Sequence, residues 1–404
     1  MDLPNIRDVD LAGRRVIVRS DLSVPLDEGR IGDGSWIVAA LVTFREVVDQ
    51  GGRLIVISHL GRPKGHRDPR LSLRPVARRI GERMSGVSVT FASDCVGEAA
   101  KSAVEGLGDG SCVVLENLRF HGGERDNDPA FADQLAQLGD VYVNDAFSVS
   151  HRAHASIVGL PERLPAAAGR LMARELDSLE RLLSEPNHPY NVVLGGAKPE
   201  TKVAVIEMLL GRADRILLGG VMASVFLKAR GENVGCSEIA DEQVQTARRL
   251  LERADDSGTD VLLPSDVVLA AERCAEAQSR IGDIATIGPG DMILDIGPDT
   301  VRRYREALGD RGTVVWNGTL GVAELAPFRQ GTEAIATFLA GHAADGRQTV
   351  VAGGGDTAAF LKARGLFDDF TYVSMAGGAF LTWLAGKPLP GVEALIKAAR
   401  RAAG

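Results

Sequence analysis

Almost from end to end, this chain alternates short runs of Val, Ile and Leu with helix-length amphipathic stretches, which leaves it few architectures. In the first half, residues 15–19 (RVIVR), 53–58 (RLIVIS), 88–91, 112–116 (CVVLE) and 141–144 read as strands. Between them, 37–49, 73–84, 96–107 and 129–138 carry the helical period. The pattern returns with strands at 191–194, 215–218, 261–263, 292–296, 313–316, 349–352 and 371–373. Helices are expected at 201–210, 240–254, 300–308, 331–343 and 357–363. Runs that are apolar without alternation fit strands buried on both faces, as in parallel sheets covered by helices. Right-handed crossovers then give an α/β fold of doubly wound parallel sheets. At 404 residues the chain exceeds one comfortable core, so two such Rossmann-like domains are expected. Segment 160–174 holds two prolines and a glycine, then opens a helix with Leu171, Leu176, Leu179, Leu182 and Leu183 on one stripe. The boundary is placed there, giving domains 1–168 and 169–387 joined by a hinge helix.

The residues after each strand differ between the halves. The early runs lead into polar and basic residues: Ser20-Asp21-Leu22-Ser23, Ser58-His59-Leu60-Gly61-Arg62, and Asn117-Leu118-Arg119-Phe120-His121. The late runs end in glycine, at Gly195-Gly196, Gly219-Gly220, Gly353-Gly354-Gly355 and Gly377-Gly378. Open α/β sheets bind ligands at the carboxyl ends of their strands. Side-chain cations suit a small anion, and glycine turns at helix starts present N–H groups to phosphates. Two such sites read as a phosphotransferase with small-molecule substrates.

Other classes fit less well. A net charge of −8 suggests no nucleic-acid partner. No apolar run approaches the roughly 20 residues that cross a bilayer, and the N-terminus lacks an apolar signal-like core, so a cytoplasmic location is expected. The four cysteines are scattered and read as free thiols without assigned function. A nicotinamide-dependent dehydrogenase predicts G-x-G-x-x-G after an early strand, where this chain has Ser20-Asp21-Leu22-Ser23. A non-enzymatic metabolite sensor predicts ATP binding without acid-dependent ADP formation.

Taken in order, the motifs resemble those of phosphoglycerate kinase across essentially the whole chain. They are Ser58-His59-Leu60-Gly61-Arg62-Pro63, 116–121 (ENLRFH), 144–147 (NDAF) with 151–156 (HRAHAS), 164–169 (LPAAAG), 195–198 (GGAK), Trp316-Asn317-Gly318 with Gly321-Val322, and 353–357 (GGGDT). The resemblance implies reversible phosphoryl transfer between ATP and the carboxylate of 3-phosphoglycerate, giving 1,3-bisphosphoglycerate and ADP in glycolysis. It implies a monomer with the acid on the first domain, Mg²⁺-nucleotide on the second, and hinge closure between them. Residues 388–404 would pack back on the first domain. Arg62, Arg119 and Arg152, with His59, would clamp the acid's distal phosphate through planar guanidinium forks. Asp21 would accept its hydroxyl, while Ser23 and Trp36 flank its carboxylate. His121 and His154 fit packing or local hydrogen bonding as well as a clamp. Lys198 would follow the transferring group, with Gly377 and Gly378 facing the acyl phosphate. Lys202, Gly195, Gly196, Asn317, Gly353, Gly354, Gly355 and Thr357 would meet the nucleotide phosphates. Asp356 would hold Mg²⁺, Glu324 the ribose, and Gly219 and Gly220 the adenine.

The chain departs from the family pattern near the reacting centre. Ser23 stands where the family has asparagine, Trp36 where it has the arginine that stabilises the transferring phosphoryl group, and Thr201 where it has aspartate. Met375 and Ala376 replace small residues of its glycine-rich run. A donor lost from such a position costs about 3–4 kcal/mol of transition-state stabilisation. Three outcomes stay open: a slower phosphoglycerate kinase, a paralogue making an acyl phosphate from another carboxylic acid, or a non-catalytic nucleotide-binding relative.

Overall fold

The computed structural model describes residues 3–403 except Glu28, Asp33 and Glu238; the side chains of Asp27, Leu182, Leu183 and Ala403 lie outside the described set. Two compact units result, Met1–Glu180 with Pro388–Gly404, and Arg181–Lys387.

The first unit is built on six parallel strands in the order Val89–Phe91, Cys112–Val114, Arg53–Ile57, Arg15–Ser20, Val141–Asp145 and Ala166–Ala168. Apart from the edge strand Val89–Phe91, their residues are buried nearly without interruption, as the non-alternating runs require. Ile37, Ala40, Phe44 and Val47 recur at helical spacing along Ser35–Asp49 and enter one core with Val16, Val18 and Val56. The chain order reverses beside the central strand Arg15–Ser20, so its carboxyl end adjoins those of Arg53–Ile57 and Val141–Asp145. The C-terminal helix Pro390–Ala403 belongs to this unit, with the Gly391 N–H on the Ser150 carbonyl at 2.9 Å.

The expected boundary at 168/169 lies inside this unit, whose first segment runs to Glu180. The reason is local bonding at the start of helix Arg170–Ser184. Asp145 Oδ1 accepts the N–H groups of Leu171 and Met172, Thr43 Oγ1 accepts that of Arg170, and the Arg170 guanidinium pairs with Glu46 at 2.8 Å.

The second unit repeats the plan with six parallel strands ordered Asp260–Leu262, Arg215–Leu218, Tyr190–Leu194, Gly312–Asn317, Gln348–Gly353 and Tyr372–Ser374. In chain order this is the 3-2-1-4-5-6 arrangement, whose switch point lies between Tyr190–Leu194 and Gly312–Asn317. One expected strand pairs differently. Met292–Ile296, read as a further parallel strand, instead joins Asp266–Ala270 and Arg280–Asp283 in a separate antiparallel sheet.

Asp295 in that sheet is buried and caps helix Gln330–Ala344, accepting the Gly331 N–H at 2.8 Å and the Ile296 N–H at 2.9 Å. Burial raises its carboxyl to about 7 from 3.8. The folded chain therefore keeps a proton that the unfolded chain releases, so this contribution to stability is complete below about 3.8 and is lost as pH rises to about 7. Thermal melts should show the stability of the parent relative to Asp295→Asn falling across that window, by about 4 kcal/mol at most, and flat above it. A constant difference throughout would contradict the assignment.

Candidate functional site

At the carboxyl ends of the first sheet, side chains from four segments converge. Arg19 is wholly buried at the end of its strand; its Nε donates to Ser156 Oγ at 3.0 Å, and a terminal nitrogen lies 2.9 Å from His59 Nδ1. Ser156 in turn donates to Glu124 Oε1 at 2.6 Å. Arg119, in the short 3₁₀ turn Leu118–Phe120, is buried and donates to the Gly61 carbonyl at 2.8 Å. The charges of Arg19, Arg119 and Arg152 all act on His59. Burial and these guanidinium groups push His59 well down and His154 down to about 3, so both imidazoles are neutral in the folded protein. Arg119 is lowered to about 10, first by burial and then by Arg19 and Arg152, and it stays cationic.

Three guanidinium groups thus share a partly desolvated site with the carboxylates of Asp21 and Glu124, and burial pushes Glu124 towards its neutral form. A small, highly charged anion is the ligand that this excess of positive charge selects. Asp21 is buried and bonded to the Ser148 hydroxyl, while its Oδ1 accepts the Ser23 N–H at 3.1 Å. Ser23 Oγ lies 3.3 Å from His59 Nε2.

Not every expected residue is enclosed in the cluster. Arg152 acts on it from an exposed position, against His151 at 3.2 Å, and Arg62 is exposed beside Gly61. Trp36, in the first turn of helix Ser35–Asp49, packs its indole against the hydrophobic core of this unit. His121 lies 2.7 Å from Asp94 through its Nε2. Sequence reasoning missed Arg19, Glu124 and Ser156. An arginine closing an otherwise apolar strand was the one available signal, and Glu124 and Ser156 acquire meaning only through Arg19.

In the second unit, the glycines at the switch point bring main chain against main chain. Gly220 begins helix Gly220–Ala229 at φ +57°, and a Cβ there would stand 2.8 Å from the Gly196 nitrogen. A Cβ on Gly195 would stand 2.7 Å from the Thr319 carbonyl carbon, and one on Gly354 would stand 2.8 Å from Asn317 Nδ2. Gly377 lies beside Gly354, its Cβ position 3.7 Å from the Gly354 Cα. Helices Gly220–Ala229, Gly355–Ala363 and Gly377–Leu384 therefore begin along one connected cradle, where helix dipoles favour anions; the Gly220 and Val221 N–H groups are already bonded to the Leu320 and Gly196 carbonyls, which leaves the first turns at Gly355 and Gly377 to offer donors. A pocket of about 740 Å³ opens here, lined by Gly196, Gly220, Thr319, Glu324, Asp356 and Phe360 among others. That volume suits a nucleotide-sized ligand.

The polar residues divide between ligand-facing and bracing roles. Asn317 is buried and donates to the Gly353 carbonyl at 2.7 Å, and Thr357 Oγ1 accepts the Gly318 N–H at 2.8 Å. Both hold the loops in shape. Glu324 lines the pocket with its carboxylate 2.6 Å from Arg273. Lys202 is buried beside Gly196, its pKa lowered by burial while Asp356 and Glu200 partly offset that shift. Lys198 is exposed, and the Thr201 hydroxyl donates to its carbonyl at 2.8 Å. Gly219 precedes its helix as the cap, and Gly353 ends its strand packed against Phe380. Gly355 and Gly378 stand exposed in the first turns of their helices, and Met375 and Ala376 precede the helix that Gly377 opens. Among the described residues no helix is long and apolar enough to cross a membrane.

Comparisons with known proteins agree along the chain. A family profile described as phosphoglycerate kinase matches residues 6–387. The phosphoglycerate kinase of Methylobacterium radiotolerans is 49% identical over 385 residues, spanning 95% of this chain and 96% of its own. That of Rhodospirillum centenum is 46% identical over 395 residues, spanning 98% of this chain and 100% of its own. The solved phosphoglycerate kinase from Coxiella burnetii superposes with a TM-score of 0.85 at 35% identity, covering 99% of this chain and 100% of that one. The enzyme from Pyrococcus horikoshii OT3 gives 0.86 at 28% identity with the same coverage. Likeness of this extent spans both sheets and the loops at their carboxyl ends, and it places the chain in the phosphoglycerate kinase family.

Proposed function

We propose that this protein transfers a phosphoryl group reversibly between ATP and the carboxylate of 3-phosphoglycerate, producing 1,3-bisphosphoglycerate and ADP. The observation that carries the reading is the convergence of the buried Arg19 and Arg119 and the exposed Arg152 on His59, a cationic cluster suited to a phosphorylated acid. Arg119 and Arg152, with Arg62 closing from its exposed loop, bind the distal phosphate, while Asp21 accepts the substrate hydroxyl. The glycine cradle holds the triphosphate with backbone N–H groups, and Lys202 neutralises part of its charge. Magnesium fits the site through Asp356, an exposed carboxylate lining the pocket near Lys202, whereas the pocket's Glu324 is paired with Arg273. Bound there, it would offset charge on the β- and γ-phosphates. A carboxylate oxygen attacks the γ-phosphorus in line as the bond to the ADP oxygen breaks, and Lys198, free to move on its exposed loop, follows the transferring group. Gly377 and Gly378 keep side chains away from the path of transfer. The acid and nucleotide half-sites lie on different units, so the reading requires a closing motion about the connecting helix.

The test is coupled ADP release with Mg-ATP and 3-phosphoglycerate, run beside other phosphorylated carboxylic acids. Acid-dependent turnover is the expected result, and none with any acid would overturn the kinase reading. One observation favours a slower or altered enzyme: the position where the family carries a cationic donor holds an indole packed on the core. Trp36→Arg should therefore raise kcat on 3-phosphoglycerate, with a ceiling of about 10²–10³-fold. A fall with this acid and turnover of another would identify a paralogue with a different substrate.

A further inference from the structure

Beside the edge strand Val89–Phe91, Asp94, Cys95 and His121 bring a carboxylate, a thiol and an imidazole together, with one ligand atom from each within 4.8 Å of the others. Asp94 and Cys95 lie in the turn before helix Gly97–Glu105, and His121 follows the 3₁₀ turn that carries Arg119. The Asp94 carboxylate fastens both neighbours: Oδ1 accepts the Cys95 N–H at 2.7 Å and lies 2.7 Å from His121 Nε2. The His121 ring stacks on Phe131, their centroids 5.3 Å apart and their planes inclined by 28°. None of the three is used by the phosphoryl-transfer chemistry.

A nucleophilic role does not fit this thiol. Cys95 is wholly buried, and burial with the charges of Asp94, Glu124 and Glu116 pushes it well above the ordinary thiol range, away from the thiolate a nucleophile needs. The grouping itself suits a cation: a soft sulfur donor, a nitrogen donor and an oxygen donor stand within 4.8 Å of one another. Mixed sulfur, nitrogen and oxygen ligands are the set that zinc favours among available divalent ions.

We propose that Asp94, Cys95 and His121 form a three-ligand Zn²⁺ site whose fourth position is open to water. Tetrahedral zinc with bonds of about 2.0–2.3 Å separates its donors by roughly 3.3–3.6 Å. The Asp94–His121 contact therefore opens by a fraction of an ångström, and the sulfur turns inward to complete the set. The ion enters from solvent between Asp94 and His121, whose side chains are 36% and 33% exposed, and meets the buried sulfur behind them. The thiol releases its proton to water as the zinc–sulfur bond forms. Because Arg119 lies two residues from His121 and its carbonyl accepts the Gly65 N–H at 3.2 Å, zinc also fixes the loop pair that shapes the anion site.

Cobalt(II) titration of the metal-stripped full-length chain tests the site, in a Cys236→Ser, Cys274→Ser background that removes the two thiols with solvent access. The expected result is one equivalent of Co²⁺ producing a sulfur-to-cobalt charge-transfer band that Zn²⁺ abolishes by displacement. Cys95→Ser should lose the band. His121→Gln and Asp94→Asn, at partly exposed positions that tolerate substitution, should weaken binding by about tenfold to a hundredfold or more. Absence of the band from the parent, a band undiminished by Cys95→Ser, or affinity unchanged in both partly exposed variants would overturn the proposal. The readout needs no turnover, so its failure is separate from failure of the kinase reading.

Discussion

Arg119→Met should lower affinity for the phosphorylated acid by about a hundredfold, near 3 kcal/mol, while changing the stability of the ligand-free protein by about 1 kcal/mol or less. The two effects separate because Arg119 is held in an unfavourable place. Burial first, then Arg19 and Arg152, bring its pKa down to about 10, with the carboxylates of Glu124 and Asp21 offsetting only part of the shift. Removing the charge relieves that repulsion. The loss of its hydrogen bond to the Gly61 carbonyl works in the opposite direction, and methionine retains much of the unbranched stem. A bound phosphate reverses the balance, since each charged hydrogen bond from the guanidinium then contributes about 1.5–3 kcal/mol. Sulfate, as a simple probe, should raise the melting midpoint of the parent and much less that of the variant. An unchanged KM for the acid, or a variant destabilised by several kcal/mol, would show that Arg119 is a structural residue.

Much of this could be read from the residues in order. Apolar runs without alternation announced buried parallel strands, and glycine after Leu194, Leu218 and Ala352 marked where backbone meets ligand. Strand direction was not legible: Met292–Ile296 has the same apolar character as a parallel strand, yet it pairs antiparallel with Asp266–Ala270. Periodicity reports burial, whereas direction depends on where a partner lies. The site shows the same limit. Arg119 and His59 stood out through their motifs, but Arg19 sat inside a strand, and its role depends on Ser156 and Glu124, more than a hundred residues away. Asn317 and Thr357 were legible as site residues, but not that their polar atoms would be spent on Gly353 and Gly318. Trp36 shows the converse, since its substitution was visible in sequence while its packing against the core needed coordinates.

Gly318→Ala should abolish measurable nucleotide binding, a loss of at least a hundredfold, and lower the melting midpoint of the second unit by about 6–12 °C, equivalent to about 3 kcal/mol. Gly318 sits at φ +91°, and a Cβ there would stand 2.5 Å from the Gly195 carbonyl carbon and 3.0 Å from the Gly196 nitrogen. The loop cannot retreat without losing other bonds. The Gly318 N–H is held by Thr357, its carbonyl accepts Trp316 Nε1 at 2.7 Å, and the Gly195 N–H is bonded to the Asn317 carbonyl at 2.9 Å. Relief of the clash must therefore pull Gly195-Gly196 away from the helix that begins at Gly220, opening the cradle at the switch point. Gly231→Ala provides the comparison. That glycine has φ +90° but nothing within 4 Å of its Cβ position, so it should show backbone strain of about 1–3 kcal/mol and retain nucleotide affinity. Sulfate binding to the first unit should survive in both variants. Equal loss of nucleotide affinity in the two would mean that left-handed strain alone matters; retained affinity in Gly318→Ala would mean that the close approach of these main-chain segments does not form the nucleotide cradle.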